Sequence, residues 1–211
     1  MESAYAIGAA IAAYLFGSLA FAIIVSRTMG LADPRTFGSK NPGATNVLRS
    51  GSKPAALVTL LLDGLKGFIP VFLVGRYGDA YGLQEGTVAM VAIGAFLGHL
   101  FPLYFKFKGG KGVATFIGVV FGVHWLLGVL TGLTWIIIAV FFRYSSLASL
   151  VSAAFAPAYY LLMDGEAPWY ADARIASALF VMALLLAWRH KENIARLVAG
   201  KESKLGRKKA A

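Results

Sequence analysis

The chain has 211 residues, 58% of them apolar and only 14% charged. Soluble domains run at roughly 45–50% and about 25%, so the composition argues against a water-soluble globule and against disorder. No cysteine is present, which excludes disulfides, thiolate metal sites and cysteine nucleophiles. The formal net charge is +10; because the cations lie between long uncharged runs, a membrane protein with a basic cytoplasmic face is a better reading than a nucleic-acid binder.

The gaps between charged residues locate the spans. Residues 3–26 form an uncharged run of 24, enough for a helix across the hydrocarbon core, which needs about 20. The run begins after Glu2 instead of a basic segment, so it reads as a permanent first span and not as a signal peptide. Residues 54–75 would make a second span, interrupted by Asp63 and Lys66. Residues 86–105 form an uncharged run of 20 and give the third. The next run, 112–142, has 31 residues. As one straight helix it would be about 46 Å long, too long for a core of about 30 Å. It therefore divides near Gly122–Trp125, leaving a short first arm, about 112–121, that protein must partly shield. Residues 144–163 supply another span, and 175–188 a last short one.

Charge counting orients these seven spans. Five Lys/Arg fall in the first loop (Arg27, Arg35, Lys40, Arg49 and Lys53), three at Lys106, Lys108 and Lys111, one at Arg143, and eight between Arg189 and Lys209; together 17 of 20 lie on one side. Six acids lie on the other: Glu2, Asp79, Glu85, Asp164, Glu166 and Asp172. The positive-inside rule then puts the N-terminus outside and the C-terminus in the cytoplasm. Trp125 and Trp169 fall near the outer interface and Trp188 near the inner one; Trp135 reads as packing. The expected organisation is an all-α membrane domain over residues 1–200, then a basic cytoplasmic tail over 201–211, solvated or lying along anionic lipid.

Polar residues crowd at four places on the cytoplasmic side. The loop Gly38–Arg49 carries Ser39, Asn41, Thr45, Asn46 and Arg49, and its glycines permit turns that expose successive N–H groups. A solvated turn is the plainer reading, but the density of donors favours an anion site. Asp63 and Lys66 stand at i and i+3 on one helix face inside a span. They form either part of the site or a structural ion pair. Gly109-Gly110-Lys111-Gly112, with Lys108 before it, precedes a helical run whose positive dipole end favours an anion. It is no Walker loop, because Lys111 is followed by Gly112 and not by Ser or Thr. His190 and Asn193, again i and i+3, share a face near the last span. Ser145 and Ser146 either cap the sixth span or, for Ser146, point into the site. His124, in the outer turn, is assigned no chemistry.

In order and spacing, Gly38–Arg49, Asp63-Gly64-Leu65-Lys66-Gly67, Gly98-His99 through Thr115, and His190-Lys191-Glu192-Asn193 resemble the signature blocks of the bacterial acyl-phosphate-dependent glycerol-3-phosphate acyltransferases. The resemblance covers nearly the whole chain and includes the seven-span plan. It implies transfer of a fatty acyl group from acyl phosphate to the sn-1 hydroxyl of glycerol 3-phosphate, in the bacterial inner membrane, with the active site facing the cytoplasm. It implies catalytic roles for Ser39, Arg49, Lys111, His190 and Asn193. Substrate contacts would come from Asn41, Thr45 and Asn46, from Lys66 and His99, from Lys108, Gly109, Gly110 and Gly112, and from Ser146; Asp63 and Gly67 would be structural. The Gly109–Lys111 turn is expected to hold the acyl phosphate. Arg49, Ser39 and Asn46 are expected to grip glycerol phosphate in a pocket completed by His190 and Asn193.

The residues fit that reaction. Both substrates carry phosphate, and the apolar bundle offers a surface for the acyl chain. An activated acyl donor needs no nucleotide. His99 and His190 are followed five residues later by Tyr104 and Ala195, so the His-x4-Asp chemistry of other glycerolipid acyltransferases is absent. Only Asp33, Glu192 and Glu202 lie on the cytoplasmic side, so neither a metal nor another cofactor is expected. Either His190 or the donor's own phosphate serves as proton acceptor; the latter is preferred, since no carboxylate flanks His190 in sequence. A monomer contacting lipid, with no nucleic-acid partner, is expected. The competing class is a transporter of a phosphorylated solute, but the polar residues sit at one face and no inverted repeat is visible. A phosphatidyl or phosphoprenol transferase would need an acidic metal motif.

Overall fold

A computed structural model describes residues 2–165 and 170–206; Glu166, Trp169 and the basic residues after Gly206 lie outside it. Every regular element among the described residues is helical. In chain order they are α1 (Glu2–Gly17), α2 (Phe21–Thr28), α3 (Ala44–Leu48), α4 (Lys53–Tyr77), α5 (Glu85–Leu100), α6 (Val113–Val123), α7 (Trp125–Phe142), α8 (Ser145–Leu162), α9 (Ala173–Arg189) and α10 (Lys191–Val198). Short 3-10 turns follow α4 and α5.

Five stretches are long and apolar enough to cross a bilayer, or six when α9 and α10 are taken as one span bent by 63°. The first run is one candidate span, Ala4–Thr28, but it breaks at Ser18–Ala20 between α1 and α2. The long fourth run divides where its length requires. His124 caps α7, its Nδ1 accepting from Leu126 N at 3.3 Å. The short arm is α6, eleven residues long. Thr115, Phe116, Gly118, Val119 and Val120 of α6 are buried, as an arm too short to face lipid alone requires. α7 is the opposite case: Ile136, Ile137, Val140 and Phe141 are exposed, as suits a helix bathed in hydrocarbon.

Lipid tails are as apolar as leucine, so helices in a membrane associate through close packing of small residues. A Cβ on Gly94 would stand 2.6 Å from the Ala10 carbonyl oxygen, and one on Gly122 would stand 2.9 Å from that of Phe68. Glycine thus sets the separation of α5 from α1 and of α6 from α4. Phe96 and Phe116 meet edge to face at 6.1 Å, and the same cluster takes in Leu127, Leu179, Met182 and Leu186 of α7 and α9. Ser145 and Ser146 do not cap α8: its N-terminus has no side-chain cap. Trp135 is packed and bonded, its Nε1 donating to Ser149 Oγ at 3.1 Å.

Candidate active site

Four segments meet at one end of the bundle. The first is the loop before α4, organised by Asn46. Its Nδ2 donates to Pro34 O at 2.6 Å and Phe37 O at 3.2 Å, while its Oδ1 accepts from Ser39 N at 3.0 Å. Asn46 is buried and bonded to its own loop. Its amide shapes the turn that presents Ser39. Ser39, Thr45 and Arg49 are exposed and Asn41 is half-buried. Arg49 closes α3, its Nη1 3.4 Å from Asn46 Oδ1 and its Nη2 3.4 Å from Ser203 Oγ.

The second segment is the turn before α6. Lys106 and Lys108 are exposed at its tip, whereas Gly109, Gly110 and Gly112 are buried. A Cβ on Gly110 would come within 2.7 Å of the Pro42 carbonyl oxygen, so this turn lies against the first loop. Gly112 has φ +83°, a left-handed conformation that glycine adopts without strain. The Gly110 N–H was expected to cradle phosphate, but it donates to the His99 carbonyl at 3.2 Å. Amides available to an anion therefore begin at Lys111 and continue into the first turn of α6, whose N–H groups have no partner within the helix.

The third and fourth segments are the start of α8 and the region from the end of α9 onward. Lys111 Nζ donates to Asn193 Oδ1, and Asn193 Nδ2 donates to Glu202 Oε1 at 2.6 Å. Ser146 Oγ donates to the same oxygen at 2.7 Å, and Arg196 Nε to Glu202 Oε2 at 2.7 Å. Ser146 thus points into the site. Residues 201–206 do not trail into solvent, because Leu205 N donates to Arg143 O at 2.6 Å and Arg143 Nη2 returns a bond to Leu205 O at 3.0 Å. Lys111 and Asn193 were assigned to different phosphate pockets; their contact makes the two clusters one site.

The charges are tuned by this packing. Burial pushes Lys111 down to about 8, with Arg196 and Arg49 acting in the same direction against Glu202 and Glu192. Burial alone would raise Glu202, but hydrogen bonds from Asn193, Ser146 and Arg196 outweigh it and hold the carboxyl below its ordinary value. His190 is buried in the break between α9 and α10. Its Nδ1 lies 2.8 Å from the Leu186 carbonyl. A carbonyl only accepts, so Nδ1 carries the proton, and Nε2 remains for any other contact.

Behind the turn lies a buried polar cluster. Lys66 Nζ is 2.8 Å from Asp63 Oδ1, a close charge contact that falls short of hydrogen-bond alignment. Lys66 also donates to Leu19 O at 2.7 Å, a carbonyl in the break between α1 and α2 that accepts from Phe21 N as well. His99 Nδ1 lies 3.6 Å from Asp63 Oδ1 and 3.1 Å from Thr115 Oγ1, and that hydroxyl donates to Asp63 O at 2.9 Å. Lys66 and His99 were expected to touch substrate. Their side chains are only 1% and 7% exposed: Lys66 braces α4 against the break after α1, and His99 turns its Nδ1 to this cluster and its Nε2 toward the Gly110 turn, where a Cβ would collide with it. Gly67, buried in α4, faces the Thr115 carbonyl of α6, where a Cβ would collide with that oxygen.

Two participants were missed. Glu202 stood in the sequence as one acid among tail cations, and only the fold brings it to Asn193 and Ser146. Arg189, adjacent to His190, donates to Gly109 O at 2.8 Å and Gly110 O at 3.1 Å. Among the described residues no cluster of three His, Asp or Glu side chains is placed to hold a metal ion. A cavity of about 320 Å³ lined by Glu85, His124, Tyr160 and Asp172 lies elsewhere, against the other helix ends.

The profile of the family described as glycerol-3-phosphate acyltransferase matches residues 7–200. A glycerol-3-phosphate acyltransferase of Albidiferax ferrireducens is 60% identical over 208 residues, covering 99% of this chain and 92% of the relative. One from Cupriavidus pinatubonensis is 57% identical over 200 residues, covering 95% and 96%. The fold is similar to the crystal structure of PlsY, an integral membrane glycerol 3-phosphate acyltransferase, in its glycerol 3-phosphate form, with TM-score 0.86, 36% identity and 96% of each chain covered. Its lysophosphatidic acid form matches with TM-score 0.84, 35% identity and the same coverage. With the profile spanning nearly all of the bundle and the four polar segments meeting at one end of it, this chain belongs to the glycerol-3-phosphate acyltransferase family.

Proposed function

We propose that this membrane enzyme transfers a fatty acyl group from acyl phosphate to the sn-1 hydroxyl of glycerol 3-phosphate, releasing 1-acyl-glycerol 3-phosphate and inorganic phosphate. One observation carries the reading: Lys111 meets Asn193 beside Arg49 at the end of an apolar bundle, so one site offers two cations to two phosphates next to a surface suited to an acyl chain.

The hydroxyl oxygen attacks the acyl carbonyl carbon, the bond from that carbon to the phosphate oxygen breaks, and the proton goes to the departing phosphate. Lys111 and the first amides of α6 stabilise the charge on a phosphate group. Arg49, with its guanidinium fork, grips phosphate and sets the geometry of attack, and Ser39 is presented beside it. The donor's own phosphate is taken as proton acceptor because it gains charge as it leaves beside the hydroxyl; His190, whose Nδ1 donates to Leu186 O and whose Nε2 is left as an acceptor, is the alternative base. We assign His190 to holding the break between α9 and α10, which places Asn193. The enzyme is read as a monomer with seven membrane crossings, N-terminus outside, site and C-terminus facing the cytoplasm, in the bacterial inner membrane. α6 counts as one crossing, shielded by its neighbours.

The test is an acyl-transfer assay of purified protein with palmitoyl phosphate and glycerol 3-phosphate, using acyl-CoA and acyl carrier protein as comparison donors. Turnover with acyl phosphate alone, undiminished by EDTA, is expected. Preference for a thioester donor, or loss of activity with chelator and recovery with Mg²⁺, would count against this reaction.

A further inference from the structure

The Gly109–Lys111 turn is held from two sides. On one side its Gly110 N–H donates to the His99 carbonyl at 3.2 Å. On the other, the Arg189 guanidinium takes the Gly109 and Gly110 carbonyls at 2.8 and 3.1 Å. That guanidinium lies beside a pair of rings, its central carbon 6.0 Å from the Phe101 centroid and 5.8 Å from that of Trp188. A trans peptide is planar, with its C=O and N–H pointing in opposite directions. Fixing the Gly109 carbonyl on Arg189 therefore sends the Gly110 N–H the other way, toward His99. Fixing the Gly110 carbonyl sends the Lys111 N–H away from Arg189 as well. Lys111 also carries the ammonium that meets Asn193.

We propose that Arg189 is a positioning residue: by holding two consecutive carbonyls it aims the Lys111 N–H at a substrate phosphate. The proposal rests on the acyl-transfer reading above. Arg189 touches no substrate; it acts through the peptide planes. A guanidinium suits this task because it is a planar fork that meets two oxygens at once, whereas an ammonium is a point charge. The neighbouring Phe101 and Trp188 rings add cation–π attraction to that seat. Gly109 and Gly110 are required for the same reason: a Cβ at Gly109 would come within 2.6 Å of the Leu100 carbonyl oxygen, leaving no room for a side chain between the two clamps.

The experiment titrates inorganic phosphate into ¹⁵N-labelled, detergent-solubilised full-length protein and follows the Lys111 amide. In the wild type that resonance should shift saturably. In Arg189→Met the dissociation constant should rise about tenfold, the size expected for losing one well-aimed charge-assisted hydrogen bond, in protein that remains folded. Arg189→Lys should fall between the two. A wild-type Lys111 amide that ignores phosphate overturns the proposal, as does a folded Arg189→Met protein that titrates like the wild type. If Arg189→Met does not fold, a folded Arg189→Lys protein with the wild-type constant overturns it. Phosphate titration behaving as expected in a protein that shows no acyl transfer would sink the reaction and leave the role of Arg189 standing.

Discussion

Lys111 is a half-buried lysine whose ammonium meets a neutral amide, not a carboxylate. Its depressed value near 8 makes its charge sensitive to pH where an ordinary lysine's is not. The ammonium form is present below about 8 and is lost as pH rises through it, so kcat/KM, which reports the free enzyme, should fall along an alkaline limb centred near 8. Lys111→Arg keeps its charge and should flatten that limb, whatever its absolute rate. A wild-type profile level through that range would remove the ammonium from the mechanism. Arg49 acts electrostatically on the same ammonium, so the two cations are coupled. Arg49→Ala and Lys111→Ala should each cost about ten- to a hundredfold in kcat/KM. Their double variant should cost less than the product, because residues sharing a partner do not add. Steady-state kinetics on all four corners of the cycle decides it; strict additivity would return the two cations to separate pockets. Much of this site was legible by residue type. The Asp63–Lys66 pair followed from i,i+3 spacing, and Lys111 from the glycines before it. Asn46 was legible as polar but not as satisfied: its partners Pro34 and Phe37 are carbonyls, which no side-chain pattern announces.

The same division holds for the elements. The turn at His124 was readable because 31 uncharged residues exceed what one span can use. The break at Ser18–Ala20 was not, since it has neither proline nor charge and depends on Lys66 arriving from α4 to take the Leu19 carbonyl. That lysine serves two elements, and the ion pair beneath it is fully enclosed. Removing one partner of a buried pair costs about 3–5 kcal/mol. Asp63→Asn should therefore lower the thermal midpoint and the yield of folded protein, with KM in the surviving enzyme close to wild type. Thermal unfolding in nanodiscs beside two-substrate kinetics separates the cases. A well-folded Asp63→Asn protein with no turnover would place the carboxylate in the chemistry.

At the scale of the molecule, charge asymmetry predicts which way the bundle sits. Labels near Gly51 and Lys108 and a reporter after Ala211 should report the cytoplasm, and labels near Gly82 and Gly165 the outside. Gly165 on the cytoplasmic side would overturn the seven-crossing plan. A stop placed after Gly200 removes Glu202, whose carboxylate joins Asn193, Ser146 and Arg196. The truncated protein should insert normally and lose at least tenfold in kcat/KM, on the scale of one charged hydrogen bond. Activity equal to full length would make the segment after Gly200 dispensable.

The contacts that close the site join residues far apart in the chain: Lys111 to Asn193 across 82 positions and Arg49 to Ser203 across 154. Helices in a membrane insert first and associate afterwards. A chain with α1 to α6 inserted thus already carries both cations but has no α9 or α10 to organise them. Catalytic competence therefore arrives at the end of assembly. A half-assembled bundle exposes Lys111 without its amide partner, so the onset of full turnover during membrane insertion becomes a clock for the docking of the last helices.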